Sequence, residues 1–477
     1  MSTRDATVVI GGGPAGLAAG LELARAGRPV VVVEREDGVG GIARTIERNG
    51  FRFDIGGHRF LTAVPEVQAL WDELLGPDFL VRQRRSRILF RGKYLDYPIS
   101  ARSALAGLGP LEGLRILASY VAAKARPVRP EETLTAWLMN RFGRRLFETF
   151  FRPYTEKVWG MPCEEIGAQW AAQRIHGLSL GAALVDMICR GSGGQRTLVT
   201  SFRYPRLGPG MLWERMREQI EARGGRVLLG SRLVEIRHDA GAIREVVVEG
   251  PSGCVSLAAR DVVSTAALRD LVPALVPALS AEVAAAARAM RYRDFLQVAL
   301  VLDGSDPFPD TWLYLHDPGV RAGRIQNFRA WSPELVPSPD RACVGVEYFC
   351  SVGDDLWRRR DGELVALAAK ELGGLGLLGR RRVVTGYVVR MRDAYPIYDA
   401  HHLAHVDTIR RGLAGLPGLR VAGRNGMHRY NNMDDSILTG LFAARSVLGG
   451  AHDPWSLGSN GTTIRATAAS PAAAPAA

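Results

Sequence analysis

The stretch VVIGGGPAGLAAGLELARAGRPVVVVERE (residues 8–36) decides the fold. Residues 7–10, TVVI, read as a short buried strand. Gly11, Gly13 and Gly16 fit the spacing GxGxxG, and a helix then runs to Gly27 before a second strand, PVVVVE. A βαβ unit of this kind needs glycines because the chain turns tightly and a pyrophosphate must approach backbone N–H groups at a helix N-terminus. Glu34 stands 18 residues after Gly16, where an acid accepts the hydroxyls of an adenosine ribose. That acid disfavours a 2′-phosphate, which leaves NAD or FAD. The run is not read as a secretory signal, since Arg4 and Asp5 cancel at its start and Gly11 to Gly13 interrupt its apolar centre.

The residues that follow separate the two dinucleotides. GVGGIARTIERNGFRFDIGGHRF (38–60) sets a second glycine pair, Gly40 and Gly41, after the ribose acid, and a third, Gly56 and Gly57, after an alternating strand. A long flavin dinucleotide buried along its length needs close backbone approach at several points, whereas a nicotinamide enzyme does not. These motifs resemble the FAD-binding fold of the amine oxidase, protoporphyrinogen oxidase and UDP-galactopyranose mutase superfamily, most closely its mutase-like flavoproteins. The expected fold is therefore α/β: a discontinuous, Rossmann-like FAD-binding domain with an inserted helical lobe and an inserted antiparallel sheet lobe. The expected boundaries are 1–75, 200–272 and 400–452 for the FAD domain, 76–199 for the helical lobe and 273–399 for the sheet lobe. A low-complexity tail from 456 to 477 is expected to be disordered.

The later FAD-binding pieces appear in order. GGRVLLGSRLVEIRHD (224–239) reads as two strands, in which the resemblance sets the backbone of Val234 against adenine, and ARDVVSTAAL (259–268) as another. The last piece, 418–450, reads as strand, Gly-Arg turn, loop and helix. Its helix carries a stripe of Ile437, Leu438, Leu441, Phe442 and Leu448, with Asp434 or Asp435 as N-cap and a stop at Gly449. The resemblance implies cofactor contacts from Gly11, Gly13, Pro14, Ala15, Gly16, Glu34, Arg35, Gly40, Gly41, Gly56, Gly57, His58, Val234, Gly423, Arg424, Met433, Asp434 and Ser436.

Three motifs carry the resemblance toward chemistry. GGHRFLT (56–62) sets His58 near the reactive face of the flavin, able to handle a proton. YTEKVWG (154–160) followed by Arg174 resembles the mutase segment where a tryptophan and an arginine face a nucleotide-sugar, which implies substrate contacts from Trp159 and Arg174 and a catalytic role for Arg174. RGKYLDYPI (91–99) resembles the hairpin that precedes the helical lobe. GRNGMHRYNNMDDS (423–436) matches the C-terminal mutase motif at Arg424, Tyr430, Met433 and Asp434, and implies roles for Arg424 and Tyr430 in catalysis and for Tyr430 and Asn432 in substrate binding.

The chain also departs from the mutases. Leu61 replaces a second histidine, Asn432 replaces an acid, and no Tyr-Thr-Gly segment appears in the sheet lobe. The sheet lobe holds one lysine, Lys370, whereas many amine oxidases of this fold keep a lysine at the flavin. The first reading is an FAD-dependent oxidoreductase that takes a hydride from a glycosyl, nucleotide-sugar or cyclitol-like substrate. The alternative is a redox-neutral isomerase of the mutase type with reduced FAD as nucleophile, and a third reading is a flavin-binding carrier without turnover.

Composition limits the partners. The formal charge is +12, but only four of the 61 basic residues are lysines, and the arginines are scattered without an aromatic-interleaved tract. The pattern points to an anionic or polar small molecule, such as a nucleotide diphosphate sugar, and away from nucleic acid. Cys163, Cys189, Cys254, Cys343 and Cys350 lack metal-ligand spacing, so no metal is expected. No stretch reaches the roughly 18 apolar residues of a membrane span, and a cytoplasmic location is expected. The oligomeric state is not legible.

Overall fold

The computed structural model describes residues 6–97, 108–168 and 201–458. Strand β1 (Ala6–Ile10) is buried at every position, which is why it carries no polar alternation. Helix α1 (Pro14–Arg25) starts with proline at its first turn, where a missing N–H costs nothing, and is followed by Gly27 at φ +72° and then β2 (Val30–Val33). The hairpin β3 (Thr45–Arg48) and β4 (Phe51–Asp54) leads into the Gly56–Gly57 loop.

Helix α2 (Pro65–Leu75) precedes three strands, β5 (Phe79–Gln83), β6 (Ser86–Phe90) and β7 (Lys93–Asp96). Strands β5 and β6 depart from the reading of 76–199 as a helical lobe, while β7 falls in the 91–99 segment read as a hairpin. The β6–β7 turn uses Arg91 and Gly92, both at positive φ, as a tight hairpin requires. Helices α3 (Pro110–Ala125), α4 (Leu134–Phe142) and α5 (Arg152–Trp159) follow. After them come β8 (Ser201–Pro205), α6 (Gly210–Ala222), β9 (Arg226–Leu228), β10 (Arg232–Asp239), β11 (Ala242–Gly250), β12 (Gly253–Ser264) and the two-residue β13 (Leu275–Val276).

The third stretch holds α7 (Ala281–Ala289), β14 (Tyr292–Asp303), β15 (Trp312–Leu315), β16 (Arg324–Asn327), β17 (Arg341–Cys350), α8 (Asp361–Gly374) and β18 (Val383–Pro396). The described chain closes with α9 (His402–Leu413), β19 (Leu419–Val421) and α10 (Met433–Val447).

Two large sheets organise these elements. In the first, β9, β2, β1, β12 and β19 run parallel, and β11 and β10 extend β12 as an antiparallel meander with β13 at the far edge. One face is covered by α1, α6, α2 and α10 through Leu17, Leu21, Trp213, Ile220, Ile437 and Leu441. The second sheet runs β18-β14-β17-β16-β15-β6-β7, so β6 and β7 belong with the later strands. Short β-pairings, β3 with β4 and β5 with β8, bridge the two.

Helix α10 begins after Asn432, which gives no side-chain cap bond, so Asp434 and Asp435 lie inside the first turn and neither is the N-cap. Ile437, Leu438 and Leu441 are buried as the stripe requires, but Leu448 is past the helix end and 43% exposed. Gly449, at φ +93°, stands just after it. Pro454–Ser456 forms a 3₁₀ turn and Leu457 is buried, so the chain is packed at the point where the tail was expected to begin. Residues 459–477 lie outside the described residues.

Candidate active site

A cavity of about 1480 Å³ runs between the two sheets. That exceeds the roughly 300–1,000 Å³ of an ordinary small-molecule pocket and has room for a large cofactor and a substrate together.

At one end it is walled by the β1–α1 turn. Gly11 has φ +96°, and a Cβ there would lie 2.1 Å from Thr265 Oγ1. Gly13 and Gly41 face each other across the loop, a Cβ on Gly41 lying 3.4 Å from the Gly13 Cα. The α1 N-terminus has neither a side-chain cap nor an acid in its first turn, so its N–H groups and dipole are left to an anion. Glu34 is buried, and its carboxylate accepts the Gly12 N–H (2.7 Å) and the Glu36 N–H (2.9 Å). Burial raises its pKa against the pull of those two bonds. Pro14, Ala15, Arg35 and Gly41 line the same end.

Gly40 and Gly16 act from behind the wall. Gly40, at φ +105°, leaves no room for a Cβ beside Trp213, and Gly16 packs α1 onto the Gly11 carbonyl. Val234 lies at a register shift of β10, and Ser231, Arg232 and Leu233 line the cavity from that strand instead.

The other end gathers Gly56, Gly57 and His58 with Gly423, Arg424, Tyr430, Asn432, Met433, Asp434 and Ser436. Arg424 donates from Nε (3.1 Å) and Nη2 (2.6 Å) to the Asn431 carbonyl and from Nη1 to that of Ala394 (3.1 Å). Its guanidinium lies 4.5 Å from the Tyr430 ring centroid, and Tyr430 stacks on Tyr395 at 5.7 Å. Burial, with the charges of Arg424 and Arg324, pushes the His58 pKa down to about 3. The imidazole is therefore neutral at pH 7, and its Nδ1 has no hydrogen-bond partner among the described residues. Asp434 is held by the Thr62 side chain, and burial raises its pKa.

Of the sequence-derived substrate residues, Trp159 does not join this wall. Trp159 is 5% exposed in a core with Phe147, Phe150 and Met161, because the apolar face of α5 turns inward. Arg174 lies outside the described residues.

Sequence reasoning missed the floor of the site. Glu347 on β17 has no exposed surface; it accepts Arg324 Nε (2.5 Å) and the Gln326 amide, and all three line the cavity. Arg324 is directly opposite Glu347 in the β16–β17 register. The signal was available: Glu347 is the one charged residue in the apolar run CVGVEYFC (343–350). Trp312, Tyr314, Tyr97 and Arg59 complete this side.

A buried Asp54 supports the glycine loop from below. It accepts the Tyr204 hydroxyl and the Thr45 hydroxyl (2.9 Å), and Thr45 Oγ1 in turn accepts the Gly210 N–H (3.0 Å). Burial pushes its pKa up to about 7. The folded state thus keeps a proton that the unfolded chain loses near pH 4, so this contribution to stability is present at low pH and lost as pH rises through 7. We expect the urea midpoint of the wild type to fall between pH 5 and pH 8, and Asp54→Asn to flatten that fall. Three pKa units set an upper bound of about 4 kcal/mol. A slope unchanged by Asp54→Asn rejects the assignment.

The cavity fits a flavin dinucleotide on its own terms. It has a glycine cradle, an open helix N-terminus and a ribose-facing acid at one end. At the other, His58 Nδ1, Gln326 Oε1, Asn425 Oδ1 and Asn431 Nδ2, on residues that line the cavity, are buried without partners among the described residues.

Comparison with known proteins agrees. The chain is similar to a reduced UDP-galactopyranose mutase structure (TM-score 0.82, 22% identity, 94% of each chain). It is also similar to putrescine oxidase bound to putrescine (TM-score 0.62, 17% identity, 94% of this chain and 99% of that one). At these identities the likeness is one of fold. Protoporphyrinogen oxidase 1 of Arabidopsis thaliana is 26% identical over 281 residues, 54% of this chain and 52% of that protein. The chain thus spans about half the length of that curated relative. The family model described as flavin containing amine oxidoreductase matches residues 14–448, nearly all of the described fold. With that match, and with a cavity built for its cofactor FAD, the chain belongs to the flavin-containing amine oxidoreductase family.

Proposed function

We propose that the protein is an FAD-dependent oxidoreductase acting on a polar substrate of the glycosyl, nucleotide-sugar or cyclitol type. One observation carries this reading: a single cavity joins the β1–α1 glycine loop to a polar wall of His58, Arg324, Glu347, Tyr395, Arg424 and Tyr430. Bound FAD supplies an acceptor for a hydride from a substrate C–H bond. The chain's own residues do the positioning. His58 Nδ1 accepts a hydrogen bond from a substrate hydroxyl and is the base for the proton which that hydroxyl gives up on oxidation, and the Tyr395–Tyr430 stack with Arg424 forms a rigid side wall. Arg324 offers positive charge that Glu347 holds in one orientation. Gly13 and the open turn of α1 hold the cofactor's anionic centre. In the discontinuous arrangement read from the sequence, Trp159 and the Arg174 segment belong to the substrate lobe, with Arg174 as a further anion ligand.

The fold likeness to a UDP-galactopyranose mutase favours a second reading, a redox-neutral sugar isomerase that requires reduced FAD. One experiment separates the two. Purified protein is placed under nitrogen with nucleotide-sugars, polyamines and protoporphyrinogen in turn, and its visible spectrum recorded. Loss of oxidised-flavin absorbance with a nucleotide-sugar supports the oxidoreductase. An unmoved spectrum, with sugar isomerisation appearing only after dithionite, supports the isomerase. Bleaching by a polyamine alone rejects both substrate assignments.

A further inference from the structure

Next to the polar wall, two arginines share an aromatic platform with no acid to balance them. Arg59, the residue after His58, has its guanidinium 6.0 Å from the Trp312 ring centroid and no ion pair among the described residues. Arg84 lies 5.6 Å from the same ring and 5.1 Å from that of Tyr97. Arg84 donates from Nε to Ser86 Oγ (3.0 Å) and from Nη2 to the Tyr97 carbonyl (3.2 Å). Its Nη1 makes no bond among the described residues.

The platform is rigid. Trp312 stacks on Trp331 at 5.4 Å, Trp331 donates to the Thr311 carbonyl (2.9 Å), and Tyr97 stacks on Tyr314 at 4.3 Å. Asp310 is committed to Arg87 at 2.9 and 2.6 Å. The charges acting on Arg84 are Arg59 and two tyrosines, with no carboxylate among them, and burial together with Arg59 holds its pKa below the usual value. Two like charges held together on a hydrophobic floor repel, and an oxyanion between them removes the repulsion and fills their free donors.

We propose that Arg59 and Arg84, on the Trp312–Tyr97 platform, form an oxyanion subsite that takes a phosphate or carboxylate arm of the substrate while its oxidisable carbon lies at the His58 end. The inference rests on the substrate-cavity reading above and narrows it. The substrate carries a strongly anionic group remote from the reacting carbon, and a free polyamine is repelled. Arg59, Tyr97 and Trp312 line the cavity, Arg84 stands beside them on the same rings, and arginine's planar fork suits a tetrahedral or planar oxyanion.

Isothermal titration of the FAD-loaded protein tests this, with inorganic pyrophosphate and citrate as separate probes and spermidine as the cationic control. We expect one molecule of pyrophosphate, of citrate or of each to bind, and spermidine not to bind. Affinity should fall at least tenfold in Arg59→Gln and in Arg84→Gln, and Arg59→Lys should recover part of it. The probe that binds tells a phosphate arm from a carboxylate arm. Oxidised-flavin absorbance should be the same in every variant, so a loss of flavin counts against the cofactor reading, and unchanged flavin with unchanged affinity counts against the subsite. Failure of both anions to bind the wild type, or equal affinity in the Arg59→Gln/Arg84→Gln double variant, overturns the proposal.

Discussion

Gly16→Ala yields a protein that retains flavin at least tenfold less well than the wild type and unfolds several degrees lower. A Cβ at this position would lie 1.8 Å from the Gly11 carbonyl oxygen and 3.3 Å from Val9 Cγ1. The first obstacle is backbone, so no side chain can swing aside. Helix α1 must lift away from β1, and that movement carries Gly11 and the α1 N-terminus out of register with each other. Overpacking of a tight core costs about 1–3 kcal/mol, and here the same shift spoils the anion cradle. Gly38→Ala is the control, since nothing lies within 4 Å of its added Cβ and its φ is not positive. The ratio of flavin to protein absorbance after gel filtration, with a melting curve, reads both effects. A Gly16→Ala protein that keeps full flavin content would refute the close-packing account.

Glu347→Ala should be among the most destabilising single changes in the second sheet. Arg324 is then left inside the protein without its counter-charge, and a buried charge stripped of its partner costs about 3–5 kcal/mol. Glu347→Gln should fall between, since an amide oxygen still accepts from Arg324 but carries no charge. Replacing both partners, Glu347→Leu with Arg324→Met, should return much of the lost stability while leaving the protein inactive, because the apolar pair packs but cannot hold a polar substrate. Urea denaturation at pH 7 measures the first effect, and turnover with whichever substrate bleaches the flavin measures the second. A Glu347→Ala cost below about 1 kcal/mol, the scale of an exposed pair, would show that Arg324 finds water.

What could be read from the sequence divides along physical lines. The β1–α1–β2 unit was legible because its strands are continuous apolar runs, its glycines fall at fixed offsets and Glu34 ends the second strand. The apolar stripe of α10 at Ile437, Leu438 and Leu441 was legible from its helical spacing. Strands β5 and β6 were hidden beside the helices because they are only five residues long, and β6 takes its stability from pairing with β15, far along the chain. Trp159 misled because a tryptophan beside a family-like motif reads equally as ligand platform or core, and only packing against Phe147 and Phe150 decides. The Arg324–Glu347 pair needed the β16–β17 register, which sequence spacing alone does not provide.

The crossing of α10 over α1 has a consequence for how the protein comes into being. Gly440 packs so tightly that a Cβ there would lie 2.0 Å from the Ala15 carbonyl, and Arg445 reaches Glu22 across 423 residues of sequence. The glycine loop made first is therefore closed by a helix made almost last. At about 5–20 residues per second of synthesis, the N-terminal unit waits roughly 20 to 85 s on the ribosome before its lid exists. During that interval α1 exposes the face that α10 will cover. Because Met433, Asp434 and Ser436 of α10 line the same cavity as the glycine loop, the cellular yield of yellow protein is expected to follow the FAD supply after chain release.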